Sequence, residues 1–178
     1  MSVKISITKT VDRVPSLELA MVRLTRDQVL VGVPGEKAER GDGDTHLNNA
    51  ARAYIHDNGA PEANIPARPF MRPGIDNARE QIEDALKAGA LKALDGNARG
   101  VGQAQHTAGM AAARAIQQKI SDGPFVPLAP RTIADRTQRD LATRRGKNDG
   151  SPTSITPLID TGKMREAITY AIRRKGEG

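Results

Sequence analysis

Residues 167–174 read Ala-Ile-Thr-Tyr-Ala-Ile-Arg-Arg, with Ile168, Tyr170 and Ile172 separated by single residues. An alternation of period two is the mark of a strand with one face buried. The same reading applies to VLVGV (29–33), a short β-branched run ended by Pro34-Gly35. It applies also to the first residues, where Val3, Ile5 and Ile7 alternate with Lys4, Ser6 and Thr8. Strands at the beginning, middle and end with helical patterns between them predict an α+β fold rather than a doubly wound sheet. The expected sheet is small, mixed or antiparallel, and packed by helices.

Helices fill the intervals. Pro15-Ser16 opens one in which Leu17, Ala20, Met21 and Leu24 form an apolar stripe. Thr45 is placed to cap a helix over 46–57, with Gly59 just past its end and Ala50, Ala53 and Tyr54 on one face. A helix over about 75–94 is expected to turn Ile75, Ala78, Ile82, Ala85, Leu86 and Ala90 inward. GNARGVG (96–102) breaks the pattern, and an Ala-rich helix covers 102–120. A stiff connector with Pro124, Pro127 and Pro130 leads to a basic helix over 132–145. The loops at 36–44 and 145–154 are expected to be flexible. The whole chain, 1–178, is read as a single domain.

Composition sets limits. Leu, Ile, Val and Phe number 35 of 178 residues, about a fifth, and only two Tyr and two Phe are present. That is a thin core for this length, and it predicts that neighbouring subunits complete the burial. With no Cys there is no disulfide framework, thiolate nucleophile or Cys-based zinc site. No apolar run approaches the roughly 18 residues of a membrane span. The N-terminus has no signal-peptide apolar segment, so a cytosolic place of synthesis is expected.

Charge is uneven. Residues 1–100 carry equal numbers of basic and acidic groups, while 101–178 carry the whole excess of +6. The excess is densest in RTIADRTQRDLATRRGK (131–147), through Arg131, Arg136, Arg139, Arg144, Arg145 and Lys147. Either this is a solvated helix face or it faces nucleic acid, with cations replacing counterions at phosphates. Without aromatic stacking platforms any such contact is with backbone and lacks sequence specificity.

Enzyme chemistry finds little support. Asp160-Thr161-Gly162 resembles the triplet of retroviral-type aspartic proteases, but only 16 residues follow Gly162, too few for a substrate-binding lobe. The simpler reading is a structural turn in which Asp160 caps a short helix. His46, His56 and His106 have no metal-ligand spacing and are assigned surface or capping roles. VGVPGEK (31–37) lacks the lysine-plus-hydroxyl ending of a phosphate-binding loop. No catalytic residue, cofactor or metal is assigned. The most distinctive string is the proline-rich GAPEANIPARPFMRPG (59–74), which cannot be regular helix. It is read either as an extended interface arm presenting Ile65, Arg68, Phe70, Met71 and Arg72, or as a strand lead-in whose Phe fills the core.

Taken in order, VLVGVP (29–34), AARAYIHDNG with NIPARPFMRPGI (50–75), PLAPRTI (127–133) and PLIDTGKMREAITY (157–170) resemble the tail-completion or head–tail joining proteins of tailed bacteriophages. These are also described as neck, minor tail or virion-morphogenesis proteins. The resemblance spans about 29–175. Asp57-Asn58 departs from the acidic–aromatic pair usual before the glycine, and the basic loop 141–154 is long. The resemblance implies a non-catalytic virion protein, assembled in the host cytoplasm. It implies a homo-oligomeric ring, hexameric or dodecameric, between the capsid connector on the portal side and the tail tube or tail terminator, with genomic DNA passing through its lumen and no membrane contact. The basic segment would then line the channel or meet an acidic partner. The alternative reading is a free, non-sequence-specific DNA-binding protein using 131–147.

Overall fold

A computed structural model describes residues 14–39, 47–143 and 155–176. The expected N-terminal strand, the Thr45 cap, His46, Arg144, Arg145, Lys147 and most of both expected flexible loops lie outside the described residues.

The described chain is mixed α+β. Helix α1 (Val14–Arg26) runs straight into strand β1 (Asp27–Gly32), and strand β2 (Thr169–Arg174) closes the chain. The two strands pair antiparallel, from Asp27 opposite Arg174 to Gly32 opposite Thr169. Two strands alone are marginal in water. Here they are backed by the longest helix, α5 (Ala98–Asp122), which touches both. Two glutamines of α5 fasten it to strand backbone. Gln105 Nε2 donates to Asp27 O at 3.5 Å, and Gln117 Nε2 donates to Ile168 O, just before β2, at 2.8 Å.

Helix α5 is the hub of the fold, contacting α1, α3 (Met71–Asn77), α4 (Arg79–Leu94) and α7 (Lys163–Ala167) as well as the sheet. It starts at Ala98, where Asn97 Oδ1 accepts from Gly100 N–H at 2.9 Å, so Arg99–Gly102 is helix and the break lies at Asp95–Asn97. Its buried side is mostly Gly and Ala, with Val101, Ile116 and Ile120. Small residues let neighbours approach closely. A Cβ at Gly74 of α3 would lie 2.6 Å from Ile116 Cα, and one at Gly89 of α4 would lie 2.6 Å from Ala104 Cβ. The low count of large aliphatics is therefore met in part within the chain, by backbones packed tightly rather than by bulky side chains.

The main core gathers Ala53, Phe70, Ile116, Ile120, Leu158, Met164 and Ile168. A smaller cluster joins Ala20, Ala93 and Val101, with Leu24 packed on it. Several expected inward positions point outward. The expected 75–94 helix breaks at Ala78 into α3 and α4; Ile75 and Leu86 are exposed, and Gly89 and Ala93 take the buried side of α4. On α2 (Asn49–Asn58), capped by Asn48, Ala53 is buried but Tyr54 is exposed. Helix α6 (Pro130–Thr143) follows the extended connector 123–129.

The proline-rich segment is not a projecting arm. Pro61–Ala63 forms a 3-10 turn, and Ala60 and Ile65 pair in an isolated bridge. The run 66–70 then lies along the body. Arg68 N–H donates to His56 O at 2.8 Å. Asp57 Oδ1 accepts from Phe70 N–H at 2.7 Å and from Met71 N–H at 2.9 Å, satisfying donors at the start of α3. Phe70 is 0% exposed. Of the two sequence readings, core filling holds for Phe70: a ring wholly inside its own chain is not available to a neighbour.

Candidate functional site

Two features stand out: a basic cleft and an uncovered apolar helix face. The cleft, of about 520 Å³, lies where the end of α2, the 64–68 run, the connector, α6 and the loop before α7 converge. Arg52, His56, Arg68 and Arg136 line it, and Asp160 is the carboxylate among its lining residues.

Each cationic group has a defined place. Arg68 is 5% exposed; its Nε donates to Val126 O at 2.8 Å and its Nη2 to Pro127 O at 3.0 Å. It braces the connector against the 66–70 run. Arg136, 9% exposed, donates from Nη1 to Thr156 O at 3.2 Å and Ile159 O at 2.7 Å, and its Nε lies 3.6 Å from Asp160 Oδ1. Arg139 meets Asp160 in a two-pronged pair, both contacts 3.2 Å. Arg52 Nε donates to Leu47 O at 3.1 Å. The His56 ring is half-buried, with no hydrogen-bond partner at Nδ1. Burial, then the charges of Arg68, Arg52 and Arg136, pull its pKa below the ordinary imidazole value.

These placements correct several sequence expectations. Arg136 is not part of an outward basic surface; its guanidinium closes the loop 156–160 onto α6. Arg139 keeps an exposed side chain but is committed to Asp160, and Arg131 is exposed. Arg68 is buried rather than presented at an interface, whereas Arg72 is exposed and Ile65 and Met71 are partly covered. Asp160 does not cap α7: the residue before that helix is Gly162, in the left-handed region (φ 78°), with no side-chain cap. The turn itself is present, with Leu158 also at positive φ (67°). His56 is half-buried in the cleft wall, and its Nδ1 makes no capping bond. His106 is on the surface, its Nδ1 paired with Tyr170 Oη at 3.0 Å.

The contributions of Arg52, His56 and Asp57 escaped sequence reasoning. Spacing carries no trace of a cleft whose walls lie some 60–110 residues apart in the chain. The one local signal was Arg68 itself, set between Pro66 and Pro69 in a run whose φ angles are locked and whose direction is therefore fixed.

The apolar face belongs to α1. Its Val14, Leu17, Leu19, Met21 and Val22 are 49–60% exposed, and only Ala20 is buried. The stripe expected to face inward is therefore covered only at Ala20 and, in part, at Leu24. On α4, which packs against α1, Leu91 and Leu94 are exposed as well. Val14, Leu17 and Met21, at steps of three and four, share one side of the helix, and exposed apolar residues grouped in this way mark association sites.

Among the described residues no cluster of His, Asp and Glu is arranged to hold a metal ion, and no helix is long and apolar enough to cross a membrane. No family model matches the chain, and no curated protein or solved structure was found to be similar to it.

Proposed function

We propose that this chain is a structural subunit of a tailed-bacteriophage virion. It would be a tail-completion or head–tail joining protein that assembles into a hexameric ring at the neck, around the DNA channel between the capsid connector and the tail. The ordered sequence blocks motivate this reading. The observation that carries it is the uncovered face of α1, where Val14, Leu17 and Met21 stand more than two-fifths exposed in the single chain. A helix with apolar residues left in water is stabilised by a neighbour that removes them from it, at roughly 25 cal/mol per Å² of apolar surface covered. Identical neighbours in a closed ring supply that cover to every copy.

Light scattering coupled to size exclusion tests the assembly. The expected result is a species several times the 19.1 kDa chain mass. The double change Leu17→Glu, Met21→Glu should convert it to monomer without loss of helical circular dichroism. A parent chain that stays monomeric at every concentration, alone and with a portal-side connector protein, overturns the reading.

A further inference from the structure

We propose that the basic cleft is an oxyanion-binding site, taking a phosphate or carboxylate group between Arg68, Arg52 and His56. The argument begins with Arg68. Its guanidinium is permanently charged, the residue as a whole is 5% exposed, and its side chain donates to the neutral carbonyls of Val126 and Pro127. No carboxylate lies within ion-pair distance of it among the described residues. A buried cation is ordinarily paired with an anion, because desolvation is otherwise uncompensated. The carbonyl dipoles of Val126 and Pro127 supply hydrogen bonds but no countercharge.

The surroundings deepen the imbalance. Arg52 and Arg136 line the same cleft. Asp160, its carboxylate, is already paired with Arg139 and Arg136. Burial, then the charge of Arg136, lowers the Arg68 pKa, and burial, then the arginines, hold His56 toward its neutral form. A bound oxyanion opposes the mutual repulsion of these cations. Guanidinium groups bind carboxylate and phosphate through charge-assisted, often bidentate, bonds. The cleft volume lies in the range of small-ligand sites, and Ile65, Leu158 and Met164 give it apolar wall. The oxyanion is borne either by a free small molecule or by an acidic side chain of a protein segment.

Isothermal titration of the full chain at low ionic strength, with inorganic phosphate, pyrophosphate and a tetraglutamate peptide, separates these sources. Saturable binding of phosphate or pyrophosphate, with Kd of about 1 mM or tighter, assigns a free oxyanion. Binding of the peptide alone assigns a protein carboxylate. In either case Arg52→Gln should weaken binding at least about tenfold. A bound oxyanion beside His56 favours its protonated form, so His56→Gln should also weaken binding at about pH 6. Circular dichroism checks that both variants remain folded. No saturable binding of any of the three probes, or binding unchanged in both variants, overturns the proposal.

Discussion

Gly109 of α5 lies so close to Tyr170 of β2 that a Cβ at position 109 would overlap the tyrosine ring. The relationship sets how near the central helix comes to the sheet. It also brings the Tyr170 hydroxyl to His106, whose ring meets the tyrosine edge-on at 5.8 Å between centroids.

Gly109→Ala should therefore destabilise the fold although alanine is the better helix former. Overpacking of this kind costs about 1–3 kcal/mol, against a helix-propensity gain of about 1 kcal/mol. Thermal melting followed by circular dichroism should show a lower Tm. An unchanged or higher Tm would mean that Tyr170 moves aside freely.

Phe70 distinguishes core filling from an interface arm. Removing a fully buried ring costs about 3–5 kcal/mol, a large share of a typical total stability of about 5–15 kcal/mol. Phe70→Ala should lower the denaturant midpoint sharply, while Arg72→Ala, two residues on and exposed, should leave it nearly unchanged. Equal, small effects from both changes would return Phe70 to an interface role.

Asp57 holds the first turn of α3 by accepting two backbone N–H bonds. Asp57→Ala leaves both donors without that partner and should cost about 1–3 kcal/mol. Asp57→Asn keeps an acceptor oxygen at the same place and should cost less. Chemical denaturation of the three proteins should give the order Asp, Asn, Ala, and coincident midpoints would remove the capping role.

His56 makes stability depend on pH. Its folded-state pKa lies below the ordinary 6.5, through burial first and then the charges of Arg68, Arg52 and Arg136. The unfolded chain therefore binds this proton more readily. The His56 contribution is fully favourable above about pH 6.5 and is lost as the pH falls toward the lowered pKa. Melting curves should show stability declining through that window, and His56→Gln should flatten the decline. An identical decline in the variant would assign it to other groups.

The residues by themselves determined the class of fold. Alternation at VLVGV and AITYAIRR marked the two strands that pair, because a half-buried strand writes a period of two into its own sequence. Gly59 marked a helix end for an equally local reason of φ. Tertiary structure alone decided which cations are surface and which are framework. Arg68 and Arg136 look like solvated charges in the chain, since arginine is seldom buried. They are buried where each guanidinium donates to carbonyls of the connector or of the 156–159 loop, 20–59 residues away in the chain. It likewise decided that the stripe of α1 meets α4 and α5 only at Ala20 and Leu24 and leaves Leu17 and Met21 outside. Periodicity says which residues share a helix face. What covers that face depends on neighbours distant in the chain or on another copy of it.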